Sequence, residues 1–231
     1  MSDKLERNGR FAASLAKAFV AVVVFAVVLF LSAGTLNWAM GWVYIGIAAV
    51  NTLIVAQLMD PALLDSRTTV EQGGARRWDI PLALIVGRIG PIAMLLVAGL
   101  DKRYSWSAPM SVGLLILGFV LLAVGYVVSD WAVIVNRFFA PVVRVDAEQG
   151  HTVVTGGPYR LMRHPGYAGA ALTYTSTPLI LGSWWAFTPA ALTILVIIIR
   201  TALEDRTLRA ELPGYAEYAQ DVRWRLVPGV W

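Results

Sequence analysis

Two polar clusters in this chain have residue types and spacing suited to chemistry. The first runs from His151 to Tyr167 and contains both histidines of the protein. Within it, Gly156-Gly157-Pro158 has turn composition, since glycine supplies unusual backbone angles and proline fixes φ. His164-Pro165 disfavours helix at His164 and suits a helix start at Pro165. A helix starting there points free backbone N–H groups at the polar segment, where they can hold a carboxylate or phosphate. Taken alone, the stretch equally fits an interfacial loop whose histidines are satisfied by backbone.

The second cluster is Arg200, Glu204 and Asp205. Arg200 and Glu204 stand i, i+4 and share a helix face. Alone, such a pair also fits a salt bridge with a snorkelling arginine. Pro213-Gly214 then breaks the helix, and Tyr215 and Tyr218 open a short amphipathic tail. Residues 164–199, which join the two clusters, hold no Asp, Glu, Lys or Arg.

The elements that position these clusters are membrane helices. The 231-residue chain is 58% hydrophobic and 15% charged, against roughly 25% charged in soluble domains. Residues 18–59 and 104–129 are also uncharged, and 80–100 hold only Arg88. A span needs about 20 apolar residues. The expected fold is therefore all-α: a polytopic membrane bundle of four spans, near 12–34, 38–59, 80–100 and 109–135, plus a C-terminal helical hairpin. The hairpin arms fall near 166–182 and 184–203, turning at Gly182-Ser183, and the first arm is short for a full span. Residues 1–135 are read as the N-terminal transmembrane part and 136–231 as the C-terminal part of one integrated domain. The 60–79 loop fits a surface helix or a plain connector.

Basic residues place both chain ends in the cytoplasm. They concentrate in the N-terminal tail, the 60–79 loop, 136–165 and the C-terminal tail, while the opposite side offers Lys102 and Arg103. Trp38, Trp42, Tyr104, Trp106, Trp184 and Trp185 fall at the outer boundary as an aromatic belt. The first apolar run resembles a signal peptide but continues almost directly into a second span, which favours an uncleaved helix. Arg88, inside a span, fits either a pair with a carboxylate such as Asp130 or a contact to a substrate headgroup, and the pair is the favoured expectation.

The composition also excludes chemistries. No cysteine is present, so disulfides, thiolate nucleophiles and Cys-based metal sites are out. A metal set of His151, His164, Glu148 and Asp146 has no usual zinc spacing. No two glycines stand two apart, so G-x-G-x-x-G is absent, as is Walker A. The net charge of +4 follows from sidedness and does not require nucleic acid.

In order, His151-Thr-Val-Val-Thr-Gly-Gly-Pro-Tyr159, Arg163-His164-Pro165-x-Tyr167, Arg200-x-x-x-Glu204-Asp205, Tyr215-x-x-Tyr218 and Pro228 resemble the isoprenylcysteine carboxyl methyltransferase family and its phospholipid methyltransferase relatives. The resemblance covers about 136–228. It implies S-adenosylmethionine as cofactor in a cytoplasmic cofactor pocket, held by His151, Thr152, Val153, Val154, Tyr159, His164, Pro165, Gly166, Tyr167 and Glu204, with 136–231 as the cofactor-binding and catalytic region. It implies that Arg200 faces a lipophilic methyl acceptor, with Arg200 and Glu204 as the catalytic pair. The partners implied are a prenylated or other lipophilic substrate and membrane lipids. Asp205 stands where a second Glu is common, and Arg144 where eukaryotic members carry Gln. A carboxylate acceptor is ionised at neutral pH and needs orientation only. An ethanolamine acceptor needs a base, for which Glu204 or Asp205 are candidates. Sterol and steroid reductases, which use NADPH, look similar at their C-terminal ends. A non-catalytic transporter is disfavoured by the scarcity of charges in the mid-spans.

Overall fold

The computed structural model describes residues 2–58, 76–144 and 150–231, with the side chains of 2–12 and 14 left aside. The 60–75 part of the connecting loop, Asp146 and Glu148 lie outside the described residues. The helices are α1 (Ser2–Ala33), α2 (Ala39–Leu58), α3 (Asp79–Tyr104), α4 (Val112–Val135), α5 (Pro165–Leu181), α6 (Phe187–Glu211) and α7 (Tyr215–Asp221). No strand occurs among the described residues. Five helices, all but α5 and α7, are long and apolar enough to cross a membrane, which makes this an integral membrane protein. At 17 residues, α5 reaches about 26 Å, short of a bilayer core of about 30 Å.

The span boundaries follow the uncharged runs closely, with one informative difference. The second hairpin arm, expected to end near 203, continues to Glu211. Nothing between Arg200 and Glu211 breaks a helix. Leu212-Pro213-Gly214 does, with Gly214 at φ 81°. The extension carries Arg200, Glu204 and Asp205 on one rigid rod.

Small residues let α4 and α5 meet backbone to backbone. A Cβ on Gly125 would lie 2.8 Å from the Gly169 carbonyl oxygen, and one on Gly169 would lie 2.5 Å from that of Gly125. Such approach substitutes packing for the hydrophobic drive that lipid does not supply. Ser129 Oγ donates to the Gly166 carbonyl at 3.3 Å across the same seam. The contact fixes where α5 begins, and hence where the polar segment before it lies.

A π-turn at Ile85–Ile89 interrupts α3. Gly90 N–H bonds to Ile85 O there, and Pro91 has no N–H to give. The Val86 carbonyl thus loses its helical donor, and Tyr174 of α5 supplies a hydroxyl at 2.5 Å. Arg88 lies in this turn and is exposed. No ion pair joins it to Asp130, which faces Asn51 of α2. The expected pairing is therefore corrected. Arg88 is nine residues, roughly 14 Å, from the start of α3, and its long side chain can snorkel from an outward face.

At the opposite end, the α1–α2, α3–α4 and α5–α6 turns meet. Asp101, buried, accepts from Ser107 N at 2.8 Å, Ser107 Oγ at 2.5 Å and Ser183 Oγ at 2.5 Å. Trp42, Tyr104, Trp106, Trp184 and Trp185 are exposed around these turns. Trp38 departs from the expected belt: it is buried with Leu29, Phe30 and Leu95 in the largest apolar cluster.

Gly125→Leu or Gly169→Leu should force α4 and α5 apart and lower stability by at least about 1–3 kcal/mol. Thermal unfolding of the purified protein checks this. Gly46→Ala, where a Cβ meets nothing within 4 Å, should leave the midpoint unchanged.

Candidate active site

Near its end, α6 reaches three separate parts of the chain through three charged residues. Asp205, 1% exposed, is the most heavily bonded. Its Oδ1 accepts from Arg163 Nε at 2.7 Å and from the Tyr215 hydroxyl at 3.1 Å. Its Oδ2 accepts from Arg209 Nε and Arg225 Nε, both at 3.1 Å. His164 Nε2 stands 3.6 Å from Oδ1. Arg163, itself buried, turns Nη1 to the carbonyls of Val222 and Arg223 at 2.6 and 2.9 Å. Backbone bonds from Arg163 N to Trp224 O and His164 N to Arg225 O, each 2.9 Å, complete the seam. The C-terminal segment is thereby locked against the start of α5.

Arg200 reaches the other way. Its Nε and Nη2 donate to the two oxygens of Asp79 at 2.6 and 2.8 Å, and Nη2 also donates to Pro141 O at 2.7 Å. Asp79, fully buried, also accepts from Val143 N at 2.6 Å. Arg76 N in turn donates to Val143 O at 3.0 Å. A buried charge is tolerable only when paired and hydrogen-bonded, and this pair has both kinds of partner. It pins the 141–143 strip to α3 and α6.

Between these two anchors lies a cleft enclosing about 800 Å³ out to its open mouth. Glu204 lies on its wall, half-buried, and accepts from the Tyr167 hydroxyl at 2.5 Å. The Tyr167 ring in turn lies 5.2 Å from the Arg200 guanidinium and parallels the His164 ring. His151 stacks on Phe138 with centroids 4.4 Å apart. Asn136 Nδ2 donates to the Tyr159 hydroxyl at 3.1 Å, and Tyr218 donates to Tyr159 O at 2.6 Å. Gly166 also lines the cleft, where a Cβ would lie 2.8 Å from the Phe139 ring. Burial first, then the Asp205 carboxylate, pushes the Tyr215 hydroxyl above its ordinary range; burial does the same for Tyr218. Both therefore remain donors at neutral pH.

Of the expected cofactor residues, His151, Thr152, Val153, Val154, Tyr159, His164, Gly166, Tyr167 and Glu204 line this one cleft. Pro165 is buried behind it as the first residue of α5. Arg200 does not line the cleft. It sits behind Tyr167, with Nε and Nη2 taken. Asp205 cannot serve as the base considered for it, because three guanidiniums hold it ionised and bonded. Sequence reasoning overlooked Asp79, which stands 121 residues from Arg200. Its only signal was an acid in the first turn of a span, where the helix dipole favours one. Arg163 was noticed as part of a motif, but its anchoring role was not.

Residues 114–212 match the family model described as phospholipid methyltransferase. A "Probable protein-S-isoprenylcysteine O-methyltransferase" of Oryza sativa subsp. japonica is 39% identical over 28% of this chain and 35% of its own length. "Protein-S-isoprenylcysteine O-methyltransferase A" of Arabidopsis thaliana is 35% identical over 28% of this chain and 33% of its own length. The B form from the same plant is 26% identical over 43% of this chain and 48% of its own. The chain thus spans between a third and half of the length of these relatives. Together the matches support a member of the isoprenylcysteine and phospholipid methyltransferase family, in agreement with the resemblance drawn from the motifs.

Asp79→Ala should strand a buried guanidinium and destabilise the protein by about 3–5 kcal/mol. Adding Arg200→Met to that variant should restore a large part of the loss, as read by denaturation of the single and double variants.

Proposed function

We propose that this membrane protein transfers a methyl group from S-adenosylmethionine to the carboxylate of a lipophilic, isoprenylcysteine-like acceptor. The observation that carries this reading is convergence: residues from 151–154, 159–167 and 204 meet in one cleft. The relatives' names support the same direction. By the distribution of basic residues, the cleft and both chain ends face the cytoplasm. Residues 136–231 form the binding and catalytic part.

The cleft suits a ligand carrying an ammonium, a carboxylate, an adenine and a sulfonium. Glu204 offers one carboxylate, positioned by the Tyr167 hydroxyl, to an ammonium or to ribose hydroxyls. Gly166 N–H, in the first turn of α5 where no intrahelical acceptor exists, is available to an anion. The rings of Phe138, His151, Tyr159 and Tyr167 supply faces for stacking and for a positive sulfur. When bound, S-adenosylmethionine supplies an electrophilic methyl group. The chain's part is to orient the acceptor and exclude water.

An acceptor carboxylate, with pKa near 4, arrives ionised and needs no base. Arg200 stands behind Tyr167 and outside the cleft lining, but its Nη1 meets no acceptor among the described residues and is the donor assigned to orient the carboxylate past that ring. Nitrogen methylation requires proton removal, and with Asp205 bound by arginines only Glu204 is left for that work. This difference favours the carboxylate. The acceptor's apolar tail lies between helices, reached from the bilayer.

Membranes containing the protein, given methyl-labelled S-adenosylmethionine and an S-farnesylcysteine analogue, should yield organic-extractable label that base releases. Base-stable label would indicate nitrogen or sulfur methylation, and NADPH oxidation without label transfer would indicate a reductase. Gly166→Val should lower turnover at least tenfold, because the added side chain meets the Phe139 ring and narrows the cleft.

A further inference from the structure

Outside the cleft, one oxygen of Asp205 holds two arginines side by side. Arg209 and Arg225 each donate Nε to Oδ2 at 3.1 Å. A guanidinium bound through Nε alone keeps both Nη groups for another acceptor. The two side chains are 41% and 31% exposed, and Arg206 beside them is exposed. With Ala202 and Ala210 they line a shallow depression on the outer side of α6. The acid beneath them is buried and already bonded to Arg163, so the depression keeps a net positive charge.

Its position on the helix identifies its surroundings. Leu192, Leu195, Ile199 and Leu203 form an exposed apolar stripe at helical spacing on α6. The same stripe continues into Arg206 one turn on, and Arg209 flanks it on the adjoining face. The surface therefore passes from hydrocarbon-facing to cationic along the length of one helix. Trp224, Val227 and Val230 are exposed in the segment that carries Arg225. Apolar and aromatic groups beside arginines are the composition of a headgroup boundary.

We propose that Arg206, Arg209 and Arg225 form a binding site for the phosphate headgroup of an anionic phospholipid. Its acyl chains lie along Leu203, Ile199 and Leu195. Guanidiniums take phosphate oxygens in paired, planar geometry. Here two of the three are oriented by Asp205 before the lipid arrives. Headgroup occupancy of this face braces the end of α6 and, through Asp205, the back of the cleft. The site is independent of the methyl-transfer reading.

The test uses the full-length protein in neutral detergent, titrated with phosphatidylglycerol or phosphatidylcholine in mixed micelles. Retained lipid is read by native mass spectrometry and stability by thermal midpoint. Phosphatidylglycerol should be retained in preference and should raise the midpoint. Arg206→Gln, which leaves the Asp205 bonds intact, should reduce that preference roughly fivefold. Adding Arg209→Gln should abolish it. Equal retention of both lipids by the wild type, or an unchanged preference in Arg206→Gln, overturns the proposal. Equal protection by inorganic phosphate at matched concentration also overturns it, by assigning the site to a free ion.

Discussion

The end of α6 carries charge out of an apolar environment, and every part of the site depends on how that charge is met. Asp205 is held by Arg163, Arg209, Arg225 and Tyr215. Removing one member of a buried pair leaves the other uncompensated, which costs more than the pair contributes. The carboxylate therefore dictates that the start of α5, the α7 helix and the C-terminal segment assemble together. Arg200 applies the same constraint on the other side through Asp79, tying α3 and the 141–143 strip to α6. The cleft is the space left between two such anchors, and Glu204 lies between them along the helix.

This arrangement separates fixed groups from available ones. Asp205 and Asp79 are acids committed to structure, whereas Glu204 meets, among the described residues, a single hydroxyl, that of Tyr167. Neighbouring acids on one helix thus take different roles because the helix turns about 100° between them. One side faces the arginines and the other the aromatic cleft. The aromatic lining follows from the same packing. Tyr218 donates to the Tyr159 carbonyl, and that bond draws α7 over the 3₁₀ turn at Gly157–Arg160.

Much of this was legible in the sequence, for identifiable reasons. Uncharged runs located the spans, because a charge in lipid is costly. His164-Pro165 marked the start of α5, since proline tolerates the first helical turn and restricts its predecessor. The i, i+4 spacing of Arg200 and Glu204 placed them on one helix. Ordered motifs anticipated which residues would gather at the cleft. Long-range pairing was not legible. Arg200 finds Asp79 rather than an acceptor as its first partner, and Asp205 draws partners 42 residues before it and 20 after it. No local pattern encodes those choices. Arg88 was misjudged because the π-turn and the outward face of α3 are tertiary outcomes, set by Pro91 and Tyr174 together.

The proposed cofactor site depends on the Tyr167–Glu204 contact. Calorimetric titration of S-adenosylhomocysteine into the wild type, Glu204→Gln, Tyr167→Phe and the double variant tests it directly. The wild type should bind and Glu204→Gln should bind at least tenfold more weakly. The double variant should be little worse than Glu204→Gln, because Tyr167 acts through that carboxylate. Absence of binding to the wild type, or equal affinity in Glu204→Gln, would mean that the cleft does not hold the cofactor in this way.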